Sequence, residues 1–215
     1  MPRRKHIKIA EVRTFKNVFD YKQENVEEKI INFFGTADPV TLELGCGQAD
    51  YSINLAKIYP HRNFIGIDRK AARLWNASKN ATKENLNNVA FLIAYIEKLD
   101  EIFKQIKTDE IWITFPDPYP RRSSMKKRLV HPRFLEVYKK LLLPEGKIFL
   151  KTDDETLYSY TLKVIEEENL ILHKAADDLY KSNSLTEEEK IQTKYEKQHL
   201  ANGKKIKLIC FSFSN

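Results

Sequence analysis

One acidic residue held between prolines is the part of this sequence that most strongly suggests chemistry. Residues 115–122 read Phe-Pro-Asp-Pro-Tyr-Pro-Arg-Arg and continue directly from the apolar run 110–115. Prolines fix φ and remove backbone donors, so a strand that reaches them must stop there. We therefore expect Asp117 to stand on a stiff, extended rim at the carboxyl end of a strand, which is where open α/β sheets bind ligands. The alternative is an ordinary loop, since turns favour the same residue types.

A basic cluster follows this carboxylate, in a chain whose formal net charge is +7. Its members lie within a short stretch and have one acidic neighbour, Glu136; they are Arg121, Arg122, Lys126, Lys127, Arg128 and Arg133. A basic loop can bind a polyanion while the rigid carboxylate beside it contacts a small group that the polyanion carries. This combination favours nucleic acid as the partner.

A second group of candidate residues lies where the first two predicted strands end. Gly45 and Gly47 permit a tight turn and close approach of a ligand to the backbone, and Asp68 closes the next strand, where an acidic group can take a ribose hydroxyl pair. A dinucleotide fingerprint needs a third glycine where this sequence has Asp50, whose carboxylate would repel a pyrophosphate. The pattern therefore indicates a nucleoside without a pyrophosphate. S-adenosylmethionine fits, with Glu43 as an acceptor near its positively charged end.

Structural interpretations of these acidic residues stay open. Glu43 could be a solvated strand end and Asp68 a helix N-cap, and only together with Asp117 do they favour a functional site. The sequence lacks the GxxxxGK[ST] pattern of a nucleotide triphosphatase. Cys46 and Cys210 form no metal-binding or CxxC pattern, so we expect no metal site.

The elements that must position these residues alternate along the chain. Strands are predicted at 40–44, 63–68, 89–94, 110–115, 147–151, 170–174 and 204–213. Helices are predicted at 25–34, 50–58, 70–84, 97–106, 132–143, 154–168 and 187–199. Because each parallel pair of strands needs a crossover, this order predicts an α/β fold with a doubly wound, mostly parallel seven-stranded sheet.

The length of 215 residues fits one domain, 1–215, in which residues 1–20 form a basic N-terminal arm. A disordered, solvated tail is the alternative for the arm. No apolar stretch approaches the ~20 residues of a membrane span, and the N-terminal sequence lacks the apolar segment of a signal peptide. We expect a cytoplasmic monomer or homodimer with no membrane partner.

Six segments, taken in order, resemble those of a known family. They are Glu-Leu-Gly-Cys-Gly at 43–47, Gly-Ile-Asp at 66–68, Phe-Pro-Asp-Pro-Tyr-Pro at 115–120, Lys-Lys-Arg-Leu at 126–129, Lys-Thr-Asp-Asp at 151–154 and Thr-Lys-Tyr-Glu at 193–196. The family is the bacterial tRNA (guanine-N(7)-)-methyltransferases, and the resemblance runs from about residue 40 to the C-terminus. Phe-Pro-Asp-Pro before a basic loop is specific to it, whereas most S-adenosylmethionine methyltransferases share the glycine turn.

The resemblance implies a Rossmann-like class I methyltransferase fold whose last strand is antiparallel. It also implies that S-adenosylmethionine donates a methyl group to the ring nitrogen at position seven of guanosine 46 in the tRNA variable loop. Asp117 would be the catalytic residue and would border the cofactor. The remaining cofactor positions would be Glu43, Gly45, Gly47, Asp68 and Tyr95.

The same resemblance implies contacts with the RNA. Asp153 would contact the guanosine, and Arg121 stands where the family usually has a substrate-touching lysine. Further substrate-binding positions correspond to Thr193, Lys194, Tyr195 and Glu196. The RNA-contacting loop corresponds to Arg122, Ser123, Ser124, Met125, Lys126, Lys127 and Arg128.

Some positions depart from the family pattern. Tyr119 replaces a usual tryptophan, and Ser123 and Ser124 replace an Arg-His pair, which removes charge from the RNA loop. Tyr95 stands where the family commonly places an Asp or Asn beside the adenine. Ring packing or a backbone donor would have to replace that contact.

The nucleophile itself limits what Asp117 must do. The guanine nitrogen at position seven has an exposed lone pair and no proton, so it needs no general base. A fixed carboxylate that accepts hydrogen bonds from the guanine edge would instead orient the base and stabilise the positive charge that develops on it. Two alternatives remain: an RNA methyltransferase that acts on another base or an exocyclic amine, and a non-enzymatic RNA-binding protein with a methyltransferase-like fold. Exocyclic-amine enzymes commonly carry a second proline that Asp117-Pro118-Tyr119 lacks.

Overall fold

The computed structural model describes residues 2–214, apart from the side chains of residues 2–4. The chain divides into two compact units, one that ends at Thr108 and one that begins at Asp109. The expectation of a single methyltransferase domain stays a prediction.

The first unit contains four parallel strands and five helices. Its strands are β1 (Val18–Asp20), β2 (Val40–Leu44), β3 (Asn63–Ile67) and β4 (Val89–Ile93). Its helices are α1 (Pro2–Val12), α2 (Val26–Phe34), α3 (Asp50–Ile58), α4 (Ala71–Lys83) and α5 (Leu99–Ile102). The strand order is β1-β4-β3-β2, and each neighbouring pair is parallel. Strands β2 and β4 are buried along their whole length, as continuous apolar runs in a parallel sheet should be.

The second unit contains the remaining strands and helices of the described chain. Its strands are β5 (Thr108–Thr114), which begins one residue before the unit, β6 (Leu142–Thr152), β7 (Ile171–Ala176) and β8 (Lys207–Ser212). Its helices are α6 (Pro132–Leu141), α7 (Glu155–Glu167), α8 (Glu187–Lys190) and α9 (Lys194–Ala201). The strand order is β5-β6-β8-β7, with β8 antiparallel to both neighbours. The last strand is therefore antiparallel, as expected.

The predicted α/β fold is confirmed, but the described residues form eight strands where seven were expected. The additional strand is β1, which has three residues and pairs with β4. A strand this short gives no periodic pattern in the sequence.

The helix predicted at 97–106 is shorter than expected because a distant carboxylate binds the backbone that would extend it. A 3-10 turn at Ile96–Lys98 leads into α5, which ends at Ile102. Beyond it, Glu27 Oε1 accepts hydrogen bonds from the backbone N–H groups of Lys104, Gln105 and Ile106 at 2.7, 2.7 and 2.8 Å. These donors therefore point at α2 rather than along a helix.

Residues 5–12 of the predicted N-terminal arm lie in helix α1, which packs on α4, so the alternative of a solvated tail is wrong for them. Trp75 of α4 donates its indole N–H to Glu11 Oε2 at 2.8 Å. The ammonium groups of Lys8 and Lys79 each lie 4.1 Å from the indole ring centroid. Val12 at the end of α1 is fully buried. The cation–π contact of Lys8 with Trp75 and the charged hydrogen bond to Glu11 thus hold α1 on α4.

None of the helices in residues 2–214 combines the length and apolar character needed to span a bilayer.

Candidate functional site

The turn between β2 and α3 is formed by residues with left-handed backbone. Gly45, Gly47 and Ala49 have φ of 69°, 59° and 54°. A Cβ on Gly47 would meet no atom within 4 Å, so glycine is required there by its conformation and not by packing. Cys46 donates its backbone N–H to the carbonyl of Ile67 at 3.0 Å, which holds the turn against the end of β3.

Asp68 lies directly after β3 and joins this turn to the start of α4. Its Oδ2 accepts from the N–H of Gly47 at 3.1 Å, and its Oδ1 accepts from the N–H of Lys70 at 2.7 Å. Arg73 Nη1 lies 3.5 Å from Oδ2, and the Asp68 side chain is only 5% exposed. Helix α4 begins at Ala71 with Lys70 as its N-cap, so the interpretation of Asp68 as a helix N-cap is wrong; its carboxylate binds the N–H of Lys70 and the glycine turn. The glycine turn and Asp68 are therefore in direct contact, and their predicted role in cofactor binding stays a prediction.

Glu43 is buried, so its interpretation as a solvated strand end is wrong. Its Oε2 accepts from the N–H and the hydroxyl of Ser52 at 2.9 and 2.6 Å. Ser52 lies in the first turn of α3, where backbone N–H groups lack helical partners and a negative charge is favourable. Ser52 was missed by the sequence reasoning, since nothing in its spacing from Glu43 marks the pair.

These carboxylates also give the glycine turn a negative field. Burial and the charges of Glu43 and Asp68 raise the pKa of the Cys46 thiol well above its usual range. The thiol therefore stays protonated and packs as an apolar group. Gly66, opposite Glu43 in the β2–β3 register, leaves room for it: a Cβ at Gly66 would lie 3.1 Å from Cys46 Sγ.

Tyr95 follows β4 and is 46% exposed. Its ring meets the ring of Tyr21 edge to face, with centroids 5.9 Å apart. Tyr21 is fixed in turn by a 3.0 Å hydrogen bond from its N–H to the carbonyl of Ile93. Tyr21, which directly follows β1, was also missed because that strand was missed. The predicted contact of Tyr95 with a cofactor stays a prediction.

In the second unit, Asp117 is exposed on a rim that begins where β5 ends. The rim is not the uniformly extended segment that was predicted, because Phe115 and Tyr119 have φ of 48° and 45°. Both residues precede prolines, which normally push the preceding residue toward extended backbone. Bulky residues in the left-handed region are strained, and such strain persists only where surrounding contacts enforce it.

Arg128 supplies contacts that hold the rim. Its Nε donates to the carbonyl of Pro118 at 2.9 Å and its Nη2 to the carbonyl of Tyr119 at 3.1 Å. The guanidinium also lies 4.3 Å from the ring centroid of Tyr160, and Arg128 is only 3% exposed. Its placement thus favours support of the Asp117 segment, and its predicted contact with RNA stays a prediction.

The other residues of the predicted RNA loop are arranged on a short 3-10 helix, Arg122–Lys127. Its exposed members, together with the preceding basic residue, are Arg121, Arg122, Ser123, Lys126 and Lys127. Ser124 and Met125 are half-buried. A basic surface is therefore present even though Ser123 and Ser124 carry no charge.

Asp153 lies in a small polar cluster after β6. Its Oδ2 is 2.5 Å from Lys204 Nζ and 3.5 Å from His199 Nδ1. The His199 ring stacks on Phe115, with centroids 5.8 Å apart and planes 21° apart. Phe115 in turn donates its N–H to the carbonyl of Lys151 at 2.8 Å. The predicted guanosine contact Asp153 is thus linked by direct contacts to the rim that carries Asp117. His199 and Lys204 were not identified from the sequence.

The Thr193–Glu196 motif forms the start of α9 and divides into buried and exposed residues. Thr193 and Glu196 are 6% and 0% exposed, and Thr193 Oγ1 accepts from the N–H of Glu196 at 3.2 Å. Lys194 is exposed, and Tyr195 is 60% exposed. Two of the four predicted substrate contacts therefore face solvent.

The α/β fold, the glycine turn with its acidic partner and the antiparallel last strand define a class I methyltransferase. The solved structure of the 16S rRNA methyltransferase KamB shares this fold, with a TM-score of 0.67 and 14% identity over 90% of this chain and 96% of that one. A family model described as "Putative methyltransferase" matches residues 37–209.

Relatives named tRNA (guanine-N(7)-)-methyltransferase match over most of the chain. The one from Cytophaga hutchinsonii is 38% identical over 218 residues, which cover 99% of each chain. The one from Porphyromonas gingivalis is 45% identical over 181 residues, which cover 84% of this chain and 73% of that protein. The chain belongs to the tRNA (guanine-N(7)-)-methyltransferase family.

Proposed function

We propose that this protein transfers a methyl group from S-adenosylmethionine to the ring nitrogen at position seven of guanosine 46 in the tRNA variable loop. The observation that carries the proposal is the match to relatives of this name at 38% identity over 99% of both chains. The protein would act in the cytoplasm as a monomer or homodimer, with tRNA as its macromolecular partner.

The residues of the glycine turn fit the proposed cofactor. S-adenosylmethionine supplies an electrophilic methyl group on a sulfonium and carries no phosphate. The turn offers open space at Gly47 and two buried carboxylates, Glu43 and Asp68, which suit a cation better than an anion. Helix α3 also begins at Asp50, so a pyrophosphate would meet a like charge there. Asp68 would take the ribose hydroxyls, while Glu43 holds α3 in place through Ser52.

Asp117 is the residue of the second unit that we assign to the transfer. Positive charge develops on guanine as the methyl group arrives, and the nucleophile has no proton to lose. A carboxylate fixed on the rim would accept hydrogen bonds from the guanine edge and stabilise that charge more in the transition state than before it. Positioning of the base would supply much of the remaining acceleration. Asp153, Lys194 and Tyr195 would contact the tRNA.

Nucleoside analysis tests the proposal. Purified protein is incubated with methyl-labelled S-adenosylmethionine and unmodified tRNA, and the digested RNA is analysed by mass spectrometry. We expect a base-labile, cationic 7-methylguanosine, and loss of the label when guanosine 46 of the tRNA is replaced by adenosine. A product methylated on an exocyclic amine would identify the first alternative. Intact tRNA binding without affinity for S-adenosylmethionine, measured by calorimetry, would identify the RNA-binding protein.

A further inference from the structure

A buried ion pair connects β6 to the first turn of α9. The side chains of Lys151 and Glu196 are both 0% exposed, and Lys151 Nζ lies 2.7 Å from Glu196 Oε1 and 3.0 Å from Oε2. Tyr180 donates its hydroxyl to Glu196 Oε1 at 2.6 Å. Burial and the hydrogen bond to Glu196 raise the pKa of Tyr180 above its usual range, so this hydroxyl stays a donor. Glu196 is thus fully engaged inside the protein.

Lys151 also binds the backbone between α8 and α9. Its ammonium donates to the carbonyls of Glu189 and Ile191 at 3.1 and 2.9 Å. Together with the Glu196 carboxylate, these acceptors match the three N–H bonds of an ammonium group. Burial lowers the pKa of Lys151, while the Glu196 charge opposes that effect.

This ammonium explains why the single helix predicted at 187–199 is two helices. Carbonyls at the end of α8 turn toward Lys151 instead of continuing the helix, and Ile191 is extended, with φ −62° and ψ 120°. Thr193 then caps the new helix α9. The junction between α8 and α9 is therefore held by a side chain that is about forty positions away in sequence.

The junction sets which residues of the motif face outward. With Thr193 and Glu196 turned inward, Lys194 and Tyr195 are left on the exposed side of the first turn. One turn further along α9, His199 contacts Phe115 and Asp153.

We propose that Lys151 and Glu196 are positioning residues whose ion pair holds the α8–α9 junction so that Lys194 and Tyr195 can contact tRNA. Glu196, which the family resemblance places among the substrate-binding residues, then acts through its neighbours and does not touch the guanosine. This inference rests on the proposed function and adds Lys151 to the residues that serve it.

Breaking one partner of the pair tests the inference. Glu196→Gln leaves a buried ammonium without its counter-charge, and Lys151→Met leaves a buried carboxylate and two free carbonyls. We expect each to raise the KM for tRNA at least tenfold while the Kd for S-adenosylmethionine changes less than twofold. Hydrogen exchange should speed up at residues 187–201 and stay unchanged in 40–68. Tyr180→Phe, which removes the hydrogen bond to Glu196 but leaves the ion pair, should act in the same direction but more weakly.

The double variant Lys151→Met/Glu196→Gln distinguishes positioning from contact. Because it strands no charge, its KM for tRNA should be lower than that of either single variant and closer to that of the unaltered protein. Lys163 and Glu167 of α7 are an exposed pair, 3.4 Å apart, and Lys163→Met/Glu167→Gln is the matched control. We expect no change in that variant.

Several outcomes overturn the inference. A lower kcat in Glu196→Gln with unchanged exchange at 187–201 would mean that Glu196 touches the substrate. If the single variants lost affinity for S-adenosylmethionine and for tRNA together, the ion pair would stabilise the protein in general and not the junction in particular. If the single changes prevent folding, Tyr180→Phe alone decides between these results. If the unaltered protein methylates no tRNA, the proposed function fails, whereas the exchange data still decide whether the pair holds the junction.

Discussion

The candidate carboxylates of the two units differ in what surrounds them, and this difference separates their roles. Glu43 and Asp68 are buried and each accepts at least two hydrogen bonds from backbone or hydroxyl groups. Asp117 is exposed on a strained rim. The buried carboxylates are held in place by the backbone groups that they bind, whereas an exposed carboxylate on fixed backbone can accept hydrogen bonds from an incoming base.

Asp117→Asn should therefore affect the chemical step. The amide keeps the shape of the side chain but loses the charge that we propose stabilises developing guaninium. In other enzymes, removing one hydrogen-bonding group that stabilises the transition state lowers kcat by a factor of this order, so we expect kcat to fall roughly 100- to 1000-fold. Kd values for tRNA and S-adenosylmethionine should change little, as measured by calorimetry. Asp38→Asn, at an exposed site, is the control, and near-normal turnover of Asp117→Asn would remove the assigned role.

Arg128→Lys should show whether Arg128 supports the rim or binds RNA. Lysine keeps the charge but cannot span the carbonyls of Pro118 and Tyr119 as a guanidinium does. If the rim and Asp117 shift as a result, kcat should fall about 10- to 100-fold. The salt dependence of tRNA affinity should be unchanged, because no phosphate contact is lost. Arg122→Lys is the matched control, and a weakened salt dependence in Arg128→Lys alone would instead place Arg128 on the RNA.

At the scale of elements, the docking of α1 on α4 should depend on pH. The indole N–H of Trp75 and the nearby Lys79 lower the pKa of Glu11 below its usual 4.5. Because the folded-state pKa is the lower one, the interaction stabilises docking fully above 4.5 and is lost as pH falls through the folded value. We expect the Trp75 fluorescence to shift to longer wavelength in that acid range.

Glu11→Gln is the control for this transition. Glutamine can still accept from the indole but does not titrate, so the acid shift in fluorescence should disappear. Trp112 is buried against Phe149 and should contribute a constant signal in both proteins. An acid shift that persists in Glu11→Gln would mean that another group controls the docking.

Elements with continuous local patterns were predictable from sequence, and those set by distant partners were not. Strand β2 and helix α3 have the predicted bounds because a buried apolar run and an amphipathic period can be recognised in a short stretch of sequence. The early end of α5 depends on Glu27, and the break between α8 and α9 depends on Lys151. The left-handed backbone of Phe115 and Tyr119 opposes the local preference imposed by proline. The sequence suggested candidate residues for the site, but it did not reveal the distant contacts that hold them.

For the whole molecule, fold and substrate are separate questions. A 16S rRNA methyltransferase with 14% identity has the same fold, so the sheet and helices do not select the RNA. Selection must lie in the surfaces that a given chain adds to the fold. In this protein the clearest such surface is the exposed basic loop of Arg121, Arg122, Lys126 and Lys127.

Charge on this loop should set the salt dependence of tRNA binding. Each phosphate contact releases counterions, so the slope of log affinity against log salt falls by roughly 0.7 to 0.9 for each contact removed. Changing all four loop residues to serine should flatten the slope by about 3 if all of them bind phosphate. The measurement is a filter-binding titration of unmodified tRNA over a series of salt concentrations.

A second variant separates local contact from total charge. Changing the scattered, exposed residues Lys29, Lys83, Lys163 and Lys181 to serine lowers the net charge by the same amount as changing the four loop residues. If the loop binds the phosphates, the variant with the scattered substitutions should keep nearly the original slope. The reason is that salt screens charges farther apart than about one Debye length, which is roughly 10 Å at 0.1 M salt. Equal flattening in both variants would mean that the net charge of the protein attracts tRNA without a defined phosphate site on the loop.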